Sequence, residues 1–171
     1  MRFSSWYLEA LMPPPRITVF GAGSRMMGDE RAGIAVLGEL ARSPLPPFVT
    51  LRETGTDGYG LVNDLEDTDV AIVVDCADMG RPPGTVLAFS PEEVESTLRD
   101  RRMSLHSINL LGVIQLARQL GCRAVIRIIG IQPQVVDFGE ELSPPVAAAV
   151  PRAAALVMAE LAKVMSSSPA G

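Results

Sequence analysis

The chain has 171 residues, of which 47% are hydrophobic and 20% are charged, and its formal net charge is −5. This composition is typical of one globular domain with a sizeable core. The negative charge and the lack of a basic cluster argue against a nucleic acid as partner. We find no apolar run near the ~18 residues of a membrane span and no signal peptide, so we expect a cytoplasmic protein without a membrane partner. Cys76 and Cys122 lack metal-type spacing and are expected to be reduced, buried thiols.

The sequence predicts one domain with a short segment at each end. Three consecutive prolines at 13–15 form a stiff spacer, so we assign residues 1–15 to an N-terminal extension. The domain is expected to span 16–165, and 166–171 should form a flexible tail. The extension reads either as a short helix or as a segment upstream of a true start at Met12, and the sequence leaves both interpretations open.

From residue 16 onward, strand patterns alternate with helix patterns. We predict strands at 16–20, 48–53, 70–74, 85–89 and 124–131, and helices at about 30–41, 59–65, 91–99, 108–120 and from 143 onward. Ser90 and Glu93 have the spacing of a capping box, and Pro151 should kink or divide the last helix. The helix at 108–120 is apolar most of the way round and should be buried. The alternation predicts a single three-layer α/β/α domain with a mostly parallel or mixed sheet.

A glycine-rich turn follows the first strand. Gly21 and Gly23 resemble the start of a dinucleotide-binding fingerprint, but the third glycine, Gly28, is at the wrong spacing. Asp29 and Glu30 also oppose a phosphate at the start of the following helix, because helix N-termini attract anions through free amides and a positive dipole. A nucleotide-binding protein is therefore the minor hypothesis for this turn.

Three side chains could instead meet at the carboxyl edge of the sheet. Glu30 follows the first strand, Asp75 ends the most hydrophobic strand, and His106 is the only histidine and precedes a helix. Each has an ordinary interpretation: a helix-start acid, a turn cap and a solvated imidazole. Together, two carboxylates and an imidazole suit a divalent metal such as nickel or zinc.

Several motifs, in order, resemble those of the hydrogenase maturation endopeptidases, which trim the C-terminal extension from the large subunit of nickel-iron hydrogenases. The matching segments are Gly21-Ala-Gly-Ser24, Asp29-Glu30 with Gly33, Glu53-Thr-Gly-Thr56 with Gly58, Ile72-Val-Val-Asp-Cys76, Pro83-Gly-Thr85, Ser104-Leu-His106, Gly130-Ile-Gln-Pro133 and Leu142-Ser-Pro144. They span 16–163. The ordered set, rather than any one motif, is specific.

The resemblance implies a phosphorylase/hydrolase-like fold and an endopeptidase acting on the large-subunit precursor. It assigns Glu30, Asp75 and His106 to the metal-contacting and catalytic positions. The turn at Gly55, Thr56 and Gly58 would bind substrate. The metal would be nickel carried by the precursor, although zinc or cadmium could occupy the site. We expect a monomer.

The chain departs from the family pattern at three places. Ser24 replaces an asparagine, Glu53-Thr54 replaces Asp-Gly at a position that could need unusual backbone angles, and the N-terminal extension has no counterpart. These departures leave open a narrow or unusual substrate, or a chaperone that binds the precursor without cleaving it. The attacking group also stays open: a metal-polarised water with a carboxylate as base is chemically sensible, whereas Cys76 lacks a general base.

Overall fold

In this computed structural model, the described residues are 13–55, 59–93 and 105–166, with only the backbone described at 59 and 105–109. The predicted extension up to residue 12 and the tail from 167 lie outside these residues. So do the later part of the helix predicted at 91–99 and the loop that carries Ser104.

The described residues form five strands and several helices. The strands are β1 (Ile17–Ala22), β2 (Val49–Thr54), β3 (Val70–Cys76), β4 (Val86–Phe89) and β5 (Val125–Ile131). A 3-10 helix (Gly28–Arg31) precedes α1 (Ala32–Leu40), and the other helices are α2 (Tyr59–Glu66), α3 (Leu105–Gln119) and α4 (Pro144–Ser166). The strand order is β2-β1-β3-β5-β4, with β4 antiparallel to β5 and the other pairs parallel. The mixed sheet confirms the predicted fold class.

The sheet carries helices on both faces because alternate side chains of its inner strands are apolar in both directions. Val19 and Ile72 face a core that α1 and α4 complete. Phe20 and Val73 face the opposite core, which α2 and α3 complete. The three-layer arrangement is therefore confirmed.

The last helix differs from its prediction. α4 is one helix of 23 residues with Pro151 inside it, so Pro151 does not divide it. By length and composition alone, this helix could cross a membrane. The apolar runs in the sequence did not indicate such a helix. One face, including Val146 and Val157, is buried against the sheet, as in the core helix of a soluble protein.

Other helix and strand boundaries differ from the predicted ones by two or three residues. β1 and β3 extend to Ala22 and Cys76, two residues beyond the predicted ends. α3 begins at Leu105, so His106 belongs to its first turn instead of a preceding loop. The expectation that this helix is buried holds for only one face: Leu111 and Ile114 are buried, whereas Leu116 is exposed. The capping box is confirmed: Ser90 N donates to Glu93 Oε2 (2.6 Å) and Glu93 N donates to Ser90 Oγ (3.3 Å).

Candidate functional site

The glycine-rich turn brings the chain back across the carboxyl ends of β1 and β3. Gly23 has a φ of 122°, and a Cβ there would overlap the carbonyl oxygen of Glu30. A Cβ on Gly33 would overlap the carbonyl oxygens of Ala22 and Val74. Glycine at both positions therefore allows a tight turn and lets α1 start directly on the strand ends.

Asp29 anchors the long loop between β5 and α4. Its side chain is almost fully buried and accepts hydrogen bonds from Gln134 N (2.8 Å), Val135 N (2.9 Å), Ser143 N (2.7 Å) and Ser143 Oγ (2.8 Å). Burial, the largest effect, raises its pKa, but the hydrogen bonds outweigh it and hold the pKa below its ordinary value. Asp29 thus fixes this loop next to Glu30, its neighbour in the chain.

Glu30 and Asp75 lie in one electronegative neighbourhood. Glu30 is buried in the 3-10 helix, and Asp75 is half-buried in β3. The pKa of the Cys76 thiol is raised far above its usual range, first by burial and then by the charges of Asp75, Asp29, Glu30 and Asp78. The thiol therefore stays protonated and is a poor nucleophile. The 3-10 helix that carries Glu30 contacts β3, the strand that ends in Asp75 and Cys76, so both predicted carboxylates belong to elements that meet at this edge of the sheet.

The direction and length of α3 indicate at which edge of the sheet the backbone of His106 is expected. The C-terminal end of α3 is at the amino edge, since Cys122 Sγ contacts Leu65 O (3.6 Å) and Val125 N donates to Asp69 O (2.9 Å). With 15 residues, α3 is about 22 Å long, close to the length of a seven-residue strand. Its first turn is therefore expected at the carboxyl edge.

The three-residue metal set stays a prediction. Among the described residues, no group of three His, Cys, Asp or Glu side chains is arranged to hold a metal ion. The imidazole of His106 is outside that comparison, because only its backbone is described. The Glu30 and Asp75 carboxylates supply oxygen donors of the type that suits a divalent metal.

A residue whose role the sequence did not reveal orders the loop after β3. Gln132 is buried, and its Oε1 accepts hydrogen bonds from Met79 N (2.7 Å) and Arg81 N (3.1 Å). Its Nε2 donates to Asp78 Oδ1 (3.0 Å). Asp78 Oδ1 also accepts from Gly80 N (3.1 Å), so Asp78 caps this turn, the ordinary role considered for Asp75. The Gly-x-x-Pro motif marked the position of Gln132 but gave no sign of these contacts.

The part of the predicted substrate-binding turn that the structure describes begins in β2. Glu53 and Thr54 lie in the extended backbone of β2, paired with Gly21 and Ala22, so the concern about their φ angles was wrong. The Glu53 carboxylate forms an ion pair with Arg25.

Of the three residues predicted to bind substrate, Gly55 is exposed directly after β2, while Thr56 and Gly58 lie outside the described residues. At another departure from the family pattern, Ser24 Oγ accepts a hydrogen bond from Met26 N (3.2 Å) within the turn.

The same turn is poorly suited to a nucleotide phosphate. The amides of Gly28, Asp29 and Glu30 donate to Gly139 O (2.8 Å), Val135 O (3.2 Å) and Met27 O (3.0 Å). Phosphate-binding turns rely on free amides at this point. The geometry therefore disfavours the nucleotide hypothesis.

Comparison with known proteins agrees with the fold and the motifs. The family model for hydrogenase maturation proteases (HycI) matches residues 34–160. The hydrogenase expression/formation protein HupD of Rhodobacter capsulatus is 34% identical over 151 residues, which cover 86% of this chain and 72% of HupD. The hydrogenase 2 maturation protease of Escherichia coli is 30% identical over 149 residues, covering 85% and 90%. The solved structure of the E. coli hydrogenase maturating endopeptidase HybD superimposes with a TM-score of 0.76 at 28% identity, covering 87% and 93%.

Proposed function

Because the chain belongs to the hydrogenase maturation protease family, we propose that it removes the C-terminal extension of a nickel-iron hydrogenase large-subunit precursor after nickel insertion. The endopeptidase activity follows from the family. The dependence on nickel carried by the precursor, a cytoplasmic location and a monomeric state are parts of the proposal.

The observation that supports the proposal is that the 3-10 helix carrying Glu30 contacts β3, the strand in which Asp75 lies next to its carboxyl end. Two carboxylates at one sheet edge, with the first turn of α3 expected there, are compatible with a site for a metal that a second protein presents. The precursor would bind in register only when its nickel bridges the two proteins. Cleavage would then report that the metal has been inserted.

The residues of the site would act as follows. The nickel of the precursor would polarise a water molecule near the scissile bond. Either Glu30 or Asp75 would accept the proton of that water as it attacks the peptide carbonyl, and the proton would then pass to the leaving amine. His106 would contact the metal. Cys76 takes no part, because its thiol stays protonated.

The test is cleavage of purified precursor with and without nickel. We expect trimming of the nickel-loaded precursor only, and losses of about 100-fold or more in kcat/KM for Asp75→Asn, Glu30→Gln and His106→Ala, as for removal of a catalytic acid or base. Asp67→Asn is the matched control, because Asp67 lies at the opposite edge with an exposed side chain, and should retain activity.

Two outcomes would overturn the proposal. Nickel-independent trimming, or full activity in the Asp75→Asn and His106→Ala variants, would contradict the mechanism. Stable binding of nickel-loaded precursor without trimming would instead favour the chaperone hypothesis that the sequence left open.

A further inference from the structure

An exposed apolar surface lies beside the candidate site. It consists of four side chains, which we call the apolar ledge: Met26, Val135, Val136 and Phe138. Phe138 is 76% exposed, the largest exposed fraction among the large hydrophobic residues that the structure describes as exposed. Grouped exposed apolar side chains are typical of interaction sites, because leaving them in water forgoes the free energy of burial.

The ledge is held in place by backbone contacts. Gly139 N donates to Met26 O (2.9 Å), and Gly28 N donates to Gly139 O (2.8 Å). The carboxylate of Asp29 accepts from Val135 N (2.9 Å). The exposure of these side chains therefore belongs to an ordered loop, and an ordered surface loses little conformational entropy when it binds a partner.

The charged residues around the apolar ledge indicate which charge its partner carries. Asp137, Glu140 and Glu141 are exposed in the same loop, whereas the cation next to Met26, Arg25, is paired with Glu53. This acidic border favours a surface with basic side chains. It disfavours an anionic membrane and a second copy of this chain, which would bring the same acidic border.

We infer that the apolar ledge docks the hydrogenase large-subunit precursor through an apolar surface bordered by basic side chains, an inference that rests on the proposed function. Asp29 connects the two regions: its carboxylate bonds the ledge loop, and its neighbour in the chain is Glu30. A precursor seated on the ledge is therefore held at a fixed offset from the carboxylates. The ledge supplies binding and positioning, while the chemistry takes place elsewhere.

The experiment compares Phe138→Ser with Leu120→Ser. Leu120 is 62% exposed and lies near Asp69 at the amino edge of the sheet, so it matches Phe138 in exposure but not in location. With nickel-loaded precursor, we expect Phe138→Ser to raise KM about tenfold or more, as for an aromatic interface anchor, with kcat within about twofold. Leu120→Ser should match the wild type in both constants. Thermal unfolding checks that both variants fold.

The outcomes separate this inference from the proposed function. Cleavage by the wild type tests the proposed function. The ratio of variant to wild-type KM tests whether the apolar ledge docks the precursor. If the wild type binds precursor without cleaving it, the same tenfold loss in affinity for Phe138→Ser supports the ledge.

Three results would contradict the inference that the apolar ledge docks the precursor. They are an unchanged KM or affinity in Phe138→Ser, an equal loss of affinity in Leu120→Ser, and no binding of precursor by the wild type. Sedimentation velocity that finds a wild-type dimer dissociated by Phe138→Ser also overturns it, since a second copy would then be the occupant.

Discussion

Two aspartates stabilise opposite edges of the same sheet by different means. Asp29, at the carboxyl edge, is almost fully buried and accepts hydrogen bonds from the backbone of Gln134, Val135 and Ser143. Asp69, at the amino edge, has a half-exposed carboxylate that accepts hydrogen bonds from Arg16 N (2.8 Å), Nε (3.3 Å) and Nη2 (3.1 Å). Both pKa values lie below the ordinary range of an aspartate.

The two carboxylates differ in whether their hydrogen-bond donors could bond to water instead. A buried carboxylate supplies partners to amides that have no access to water, so its removal leaves donors unsatisfied. An exposed ion pair exchanges one set of water contacts for another and contributes little. Asp29 therefore fixes loops near the candidate site through buried polar contacts, whereas Asp69 joins Arg16 to the amino edge through solvent-exposed charges.

The largest expected effect is that of Asp29→Asn. The asparagine oxygen can face the three donors that now bond to Oδ2, but its NH₂ group then faces Ser143 N, which loses its acceptor. The other three donors also exchange a charged acceptor for a weaker neutral one. Together these losses cost on the order of 3 kcal/mol, so we expect Tm to fall by about 6–12 °C. Differential scanning calorimetry at neutral pH measures this. A loss no larger than that of Asp69→Asn would contradict the contrast between the two edges.

Gln132→Ala tests the second buried polar contact of the carboxyl edge. The variant leaves Met79 N and Arg81 N without their acceptor, so we expect Tm to fall by about 4–8 °C. Gln134→Ala is the matched control, because the Gln134 side chain is exposed two residues away. Equal shifts in the two variants would show that the loop after β3 does not depend on Gln132.

The three layers and the positions of the strands along the chain were the predictable part of the fold. Apolar alternation and run length are local properties, and they located all five strands within two residues at most ends. The glycine turn was also predictable, since close approach and positive φ leave few alternatives to glycine at Gly23.

The position of the candidate site was predictable from the sequence. The hydrogen bonds that hold the loops around it were less predictable. The ends of parallel strands meet at one edge, which is why Glu30 and Asp75 were expected near each other. The contacts of Asp29 with residues 134–143 and of Gln132 with 79–81 join segments more than 50 residues apart. No local pattern encodes such pairs, because any polar side chain near a strand end could equally face solvent.

The smallest expected effect is that of Asp69→Asn, and its pH dependence sharpens the contrast. Hydrogen bonds from the Arg16 side chain, followed by that from its amide, lower the pKa of Asp69 in the folded state. A lowered pKa means that the charged form stabilises the fold above the unfolded pKa of about 4, and that this contribution is lost as the pH falls below it. We expect Asp69→Asn to lower Tm by no more than about 2 °C at pH 7, because the pair is exposed. The difference from the wild type should shrink between pH 4 and pH 3, as measured by calorimetry at closely spaced pH values. A difference that grows on acidification would mean that Asp69 is more stabilising when protonated, contrary to its bonds with Arg16.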